Sequence, residues 1–185
     1  MQIVEFKKEY IPEVKKFTDE QIGLGYYTIE EQIENQKKST AANGEISSFI
    51  LLDPVNKKIQ GLRLAFPPGN WNHGKGSKLR PDLWPFKINE AAYFQSLFLS
   101  TEVQGQGWGP KLSEKSIEVL KKLNAKGIVT HCWKESPHNS SFKYLDKVGF
   151  KTVIEHPLYW FDVDYTCTRD GKPCRCTSIE MYLPL

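Results

Sequence analysis

Three glycines fall within five residues at VQGQGWGPKL (103–112), between a stretch that reads as a strand and one that reads as a helix. Glycine loses more conformational freedom on folding than any other residue, so such a cluster marks a tight turn or a backbone that something approaches closely. The preceding run, AAYFQSLFLS (91–100), has no charged residue and fits a strand central in a sheet. Pro110 suits a first helical turn, where its missing N–H costs little, and the helix is expected from about Pro110 to Asn124 with Gly127 closing it. A strand, a glycine turn and a helix N-terminus together form an anion site, because unpaired N–H groups converge where the helix dipole is positive. The usual nucleotide motifs do not fit: G-x-x-x-x-G-K-S/T is absent, and a dinucleotide fingerprint needs another glycine spacing and an acid after the following strand.

The rest of the chain alternates strand-like and helix-like segments. QIVEF (2–6) alternates like a short strand, and IPEVKKFTDEQI places Ile11, Val14, Phe17 and Ile22 near helical spacing. Thr28 and Glu31 have the form of a capping box that opens a second helix. ISSFILLD and KKIQGLRLAF read as two strands joined by a tight turn at DPVNK. IVTHCW (128–133) makes another strand, and SPHNSSFKYLDKVGF a short helix with Gly149 as a left-handed cap. In the tail, Asp170-Gly171 between two alternating stretches predicts a two-residue hairpin turn that pairs Cys167 with Cys174. With 185 residues, no repeat and no linker-like stretch, the expectation is a single domain, 1–185.

Gln104-x-x-Gly107-x-Gly109, five residues after Leu99, resembles the Arg/Gln-x-x-Gly-x-Gly/Ala signature of the Gcn5-related N-acetyltransferase superfamily. HNSSFKYLDKVGF (138–150) is similar to the family's second motif, an asparagine shortly before a helix that ends in Gly-Phe. The order of elements matches too. The resemblance implies an α/β fold with a mixed, mostly antiparallel, splayed sheet of about seven strands flanked by about four helices. It implies acetyl-CoA as cosubstrate, with Leu97, Phe98 and Leu99 offering backbone groups to the pantetheine. Gln104, Gly105, Gln106, Gly107, Trp108 and Gly109 would bind the pyrophosphate, with Asn139 contacting the cofactor from the other side. The implied function is transfer of an acetyl group to a primary amine of a small molecule or protein. A non-catalytic acyl-CoA-binding module with the same fold is the alternative.

An amine with a reference pKa of ~10.4 needs a base or a desolvating pocket before it can attack a thioester. The family's carboxylate position on the fifth strand falls on Lys134, which leaves Glu135, His131, or Glu90 and Glu102 through water, as candidates. The family's tyrosine acid, four residues before the helix-ending glycine, is replaced by Leu145; Tyr144 stands next to it and is the candidate acid.

Four cysteines and no apolar leader or membrane-length apolar run lead to the expectation of a cytoplasmic chain with reduced thiols and no metal. The competing readings are zinc held by Cys167, Cys174 and Cys176 with His156 or Cys132, and a disulfide joining Cys167 to Cys174. The net charge of +3 does not argue for a nucleic-acid or membrane partner, and a monomer or homodimer fits equally. Residues 67–90, rich in proline, glycine and tryptophan, form a long loop. There Trp71, His73, Lys75, Lys78, Arg80 and Trp84 either shape an acceptor pocket or tuck the loop against the core.

Overall fold

The computed structural model describes residues 1–71 and 78–185. Its elements run β1 (Gln2–Glu5), α1 (Ile11–Gln21), α2 (Ile29–Ser39), β2 (Phe49–Asp53), β3 (Lys58–Phe66), β4 (Ala91–Leu99) and α3 (Trp108–Lys122). They continue with β5 (Gly127–Trp133), α4 (Ser140–Val148), β6 (Lys151–His156) and β7 (Ser178–Pro184). The seven strands form one sheet in the order β1-β2-β3-β4-β5-β7-β6, antiparallel throughout except where β4 meets β5. The expected mixed, mostly antiparallel sheet flanked by four helices is therefore observed.

Local chemistry accounts for most boundaries. α1 buries Ile11, Val14 and Phe17 against β3, while Ile22 stands just past its end. The capping box on α2 is formed in both directions: Thr28 Oγ1 accepts from the Glu31 N–H at 3.1 Å, and Glu31 Oε2 accepts from the Thr28 N–H at 2.9 Å. Asp53 accepts from the Val55 N–H at 2.9 Å and fixes the turn between β2 and β3. Gly149 ends α4 at φ 103°, the left-handed cap its position predicts.

Two expectations need correction. Gly127 does not close α3; Asn124 takes the left-handed turn at φ 61°, and Gly127 opens β5. It is glycine for packing, since a Cβ there would overlap the Phe86 ring. Nor does Asp170-Gly171 form a two-residue hairpin. Cys167 pairs with Gly171 through two 2.9 Å backbone hydrogen bonds, so the turn spans Thr168 to Asp170 and strands do not flank it. The terminal hairpin is β6 with β7, separated by a long excursion, 157–177.

Among the described residues, no helix is long and apolar enough to cross a membrane. The described part of the 67–90 loop is pinned inward: Trp71 donates to the Ala91 carbonyl at 2.7 Å and stacks on Tyr93, and Trp84 is buried. Lys78 is exposed, and Arg80 pairs with Asp82 at 2.7 Å. His73 and Lys75 lie outside the described residues.

Candidate active site

β4 and β5 run together only over Ala91–Phe94 and Gly127–Thr130. Thr130 Oγ1 donates to the Phe94 carbonyl at 2.9 Å at the fork, and beyond it the strands separate. Gln95 sits at a bulge in the β3–β4 register, where Leu64 faces Ser96 and Ala65 faces Phe94. A bulge bends a strand and sharpens its twist, which turns the outer half of β4 away from β5. From Ser96 to Leu99 β4 pairs with β3 alone, leaving its other edge open.

The glycine turn follows directly. Gly105 and Gly107 adopt left-handed backbone at φ 75° and 81°. Gly107 is the N-cap of α3, and without a side chain it leaves the first N–H groups of the helix uncapped. Gly109 is constrained differently: a Cβ there would press on Leu97 Cδ2 at 3.2 Å. Gln104 holds the turn against the strand by donating from Nε2 to the Leu99 carbonyl at 3.0 Å.

The fork opens into a cavity of about 520 Å3 lined by Ser96 to Leu99, Gln104 and Gly105, His131 and Tyr144 among others. On β5, His131 Nδ1 and the Tyr93 hydroxyl are 2.9 Å apart, and the imidazole stacks on Tyr159 with centroids 4.4 Å apart. Its Nε2 is buried and has no hydrogen-bond partner among the described residues. Burial, reinforced by His156, pulls the His131 pKa down to about 3, with the Lys78 backbone offsetting part of this. The imidazole is therefore neutral at neutral pH.

On the opposite wall, the Tyr144 hydroxyl contacts Ser113 Oγ and accepts from Arg63 Nη2 at 3.0 Å. Arg63 is buried beneath β4, with its guanidinium 4.2 Å from the Phe94 centroid. Among the described residues its oxygen partners are all neutral: Ser113 Oγ, the Ser96 carbonyl and Tyr144. Burial holds its pKa below the usual value.

No protein-family model and no curated protein sequence matches the chain. Solved structures do. The ribosomal-protein-S18-alanine N-acetyltransferase from Escherichia coli superposes with a TM-score of 0.67 at 16% identity, over 99% of this chain and 92% of that one. The NatC complex bound to Gag peptide and CoA gives 0.68 at 16% identity, over 100% of this chain and 99% of that one. An N-acetyltransferase from Staphylococcus aureus Mu50 gives 0.65 at 19% identity, over 99% and 97%. The fold is that of the Gcn5-related N-acetyltransferases.

Within this acetyltransferase fold the sequence-predicted residues separate into two groups. Leu97, Phe98, Leu99, Gln104, Gly105, His131 and Tyr144 meet around the cavity. Gln106, Trp108 and Gly109 continue the turn into α3, where Gln106 Nε2 donates to the Glu102 carbonyl and Lys111 lies over the Trp108 ring. Asn139 caps α4 at φ 56° and is exposed, outside the cavity lining. Glu135 is also outside the lining: both its oxygens accept from the Thr177 N–H, at 3.1 and 3.0 Å, which makes it a clamp between β5 and β7. Lys134 pairs with Glu155 at 2.6 Å. Glu90 accepts from the Lys87 N–H and Glu102 from Gln60, so neither reaches the fork.

Sequence reasoning missed Tyr93, Arg63 and Glu180. Arg63 had a signal, a lone charge inside the apolar run GLRLAF. Glu180 is fully buried and accepts from Trp84 Nε1 at 2.7 Å and the Arg80 N–H at 3.2 Å, with His156 Nε2 2.7 Å away. His131, His156 and Glu180 bring ligand-type atoms within 4.8 Å of one another. The donors around Glu180 already account for that arrangement.

Proposed function

We propose that the chain is an N-acetyltransferase of the Gcn5-related superfamily that moves an acetyl group from acetyl-CoA to a primary amine. One observation carries this reading: the open edge of β4 leads at one end to the uncapped N-terminus of α3 and borders the cavity holding His131 and Tyr144. An extended pantetheine fits such an edge as an added strand, and a diphosphate suits N–H groups at a helix start. The likeness to the NatC complex bound to Gag peptide and CoA supports the same ligand class. Bound acetyl-CoA would supply the activated acetyl group; this chain's residues must hold the amine and manage its proton.

The low pKa of His131 decides how it works. Moving a proton from an amine with a reference pKa of ~10.4 onto a group near 3 is uphill by about 10 kcal/mol, and from an α-amino group at ~7.7–8.0 by about 6–7 kcal/mol. His131 therefore does not store the proton. It borders the amine, which has already released its proton to water, as a neutral imidazole held by Tyr93 through Nδ1 and by the stack on Tyr159. Acceptors that ionise low, such as the α-amino group of a peptide or protein, fit best. As the C–N bond forms and the C–S bond breaks, the new amide nitrogen gives up its extra proton to water, and the departing sulfur takes one from water or from Tyr144, positioned by Ser113 and Arg63 and then reprotonated by water. A cytoplasmic location fits this chemistry.

Thiol release across a panel of α-amino and ε-amino acceptors, with calorimetric titration of acetyl-CoA, tests the proposal. Binding with turnover supports it; no heat on titration overturns it. The second reading, a non-catalytic acyl-CoA-binding module, is favoured by Leu145 at the family's tyrosine position and by the ties that hold the Tyr144 hydroxyl. Tight acetyl-CoA binding without thiol release from any amine would decide for it.

A further inference from the structure

The 157–177 excursion between β6 and β7 has little to hold it. Four of its 21 residues are buried, namely Tyr159, Cys167, Cys174 and Cys176. The three thiols form a small cluster with Trp133, Trp160 and Tyr165. A segment this long, without regular structure, buries too little apolar surface to order itself and needs a covalent or metal staple.

The cluster has the shape of one. Cys167 Sγ, Cys174 Sγ, Cys176 Sγ and a carboxylate oxygen of Asp170 all lie within 4.8 Å of one another. Cys167 Sγ and Cys176 Sγ are 3.7 Å apart, and Cys176 Sγ is 3.4 Å from Asp170 Oδ2. A tetrahedral zinc with bonds of about 2.3 Å to sulfur and 2.0 Å to oxygen has S···S edges of about 3.8 Å and S···O edges of about 3.5 Å. The Asp170 N–H donates to Cys167 Sγ at 3.5 Å and the Tyr165 hydroxyl to Cys174 Sγ at 3.0 Å, the outer hydrogen bonds that orient and stabilise thiolate ligands. The Cys167-x-x-Asp170 turn and the Cys174-x-Cys176 pair supply two ligands each. Neither Cys132 nor His156 belongs to the group.

We infer that Cys167, Asp170, Cys174 and Cys176 form a structural zinc site that closes the 157–177 excursion on itself just before β7. Three thiolates and a carboxylate in a closed tetrahedron select zinc over the oxygen-preferring cations. The metal displaces the thiol protons to solvent, and no redox step is involved. The staple acts on the cavity wall. The Tyr159 N–H donates to the Cys176 carbonyl at 3.1 Å while its ring stacks on His131, and Trp160 lines the cavity. Glu135, clamped to Thr177 and 3.7 Å from Arg169, braces the same turn from β5.

Metal analysis of reduced full-length protein, purified without a histidine tag, should find one zinc per chain. The chelated protein, refilled with cobalt, should show thiolate charge-transfer absorption and the intense visible bands of tetrahedral cobalt. Cys174→Ser and Asp170→Asn should weaken metal binding on the order of a hundredfold or more, as expected when one of four ligands to a structural zinc is lost. Cys132→Ser should leave it unchanged. Trypsin should cut the chelated chain at Arg169 or Arg175 at least tenfold faster than the zinc form. These readouts do not depend on acetyl transfer, so they stand or fall apart from it. If a substituted chain fails to fold, the cobalt spectrum of the unsubstituted protein still decides. Weak, octahedral cobalt absorption, a metal-free reduced chain after zinc incubation, or a Cys167–Cys176 disulfide in thiol-blocked protein would each overturn the inference.

Discussion

In the proposed reaction two side chains on opposite walls of the cavity bear on the chemistry, and each makes a distinct prediction. Replacing His131 with asparagine should lower kcat/KM by about tenfold, the scale of one lost positioning contact rather than of a lost base, with acetyl-CoA affinity retained in calorimetry. Since His131 is neutral throughout the working range, the pH inflection of kcat/KM should follow the acceptor's own amine pKa from one acceptor to the next. An inflection fixed near 6–7 for every acceptor would contradict this. On the other wall, Tyr144→Phe removes an acceptor from a buried cation that has no carboxylate partner among the described residues. A loss of about 1–3 kcal/mol of stability is expected from urea unfolding. Arg63→Met, which removes the buried charge altogether, should cost less, because the desolvation penalty disappears with it. The histidine was legible in the sequence as a candidate, but its partner was not. Tyr93 and His131 lie 38 positions apart and meet only because β4 and β5 run parallel up to the fork.

At the scale of elements, the two kinds of glycine should respond in opposite ways. Gly127→Ala forces the Phe86 ring to move, at about 1–3 kcal/mol of stability, with no reason to change ligand binding. Gly105→Ala meets no atom within 4 Å, so its stability cost is the left-handed φ alone, about 1 kcal/mol. Its larger effect should be on acetyl-CoA affinity, measured by calorimetry. Equal affinity in Gly105→Ala and the parent chain would count against the diphosphate site. Elements governed by local rules were readable: the Thr28–Glu31 box, the Gly149 cap and the glycine turn each act within a few residues. Gly127 and Asp170-Gly171 were misread because distant partners override local preference there. The Phe86 ring packs against the first, and at the second Cys167 pairs with Gly171 instead of Cys174. Glu135 looked like a base beside the fifth strand, whereas its geometry is that of a backbone clamp.

For the whole molecule, the buried imidazole couples stability to pH. The His131 pKa is about 3 when folded and near 6.5 when free, so between those values the unfolded chain binds more protons. Its contribution is complete above about 6.5 and falls by up to ~1.4 kcal/mol per pH unit on acidification towards 3. Urea midpoints measured between pH 7 and pH 4 should therefore drop, and His131→Asn should flatten that limb; parallel slopes would refute the assignment. The sheet itself has a further consequence. Because β4 and β5 part after four residue pairs, the half containing β1 to β4 and the half containing β5 to β7 share only a short hydrogen-bonded seam. The outer β4 amides should exchange deuterium quickly in the empty protein. A ligand lying in the gap bonds to both halves at once, so its arrival should slow that exchange and make the two halves unfold as a single unit.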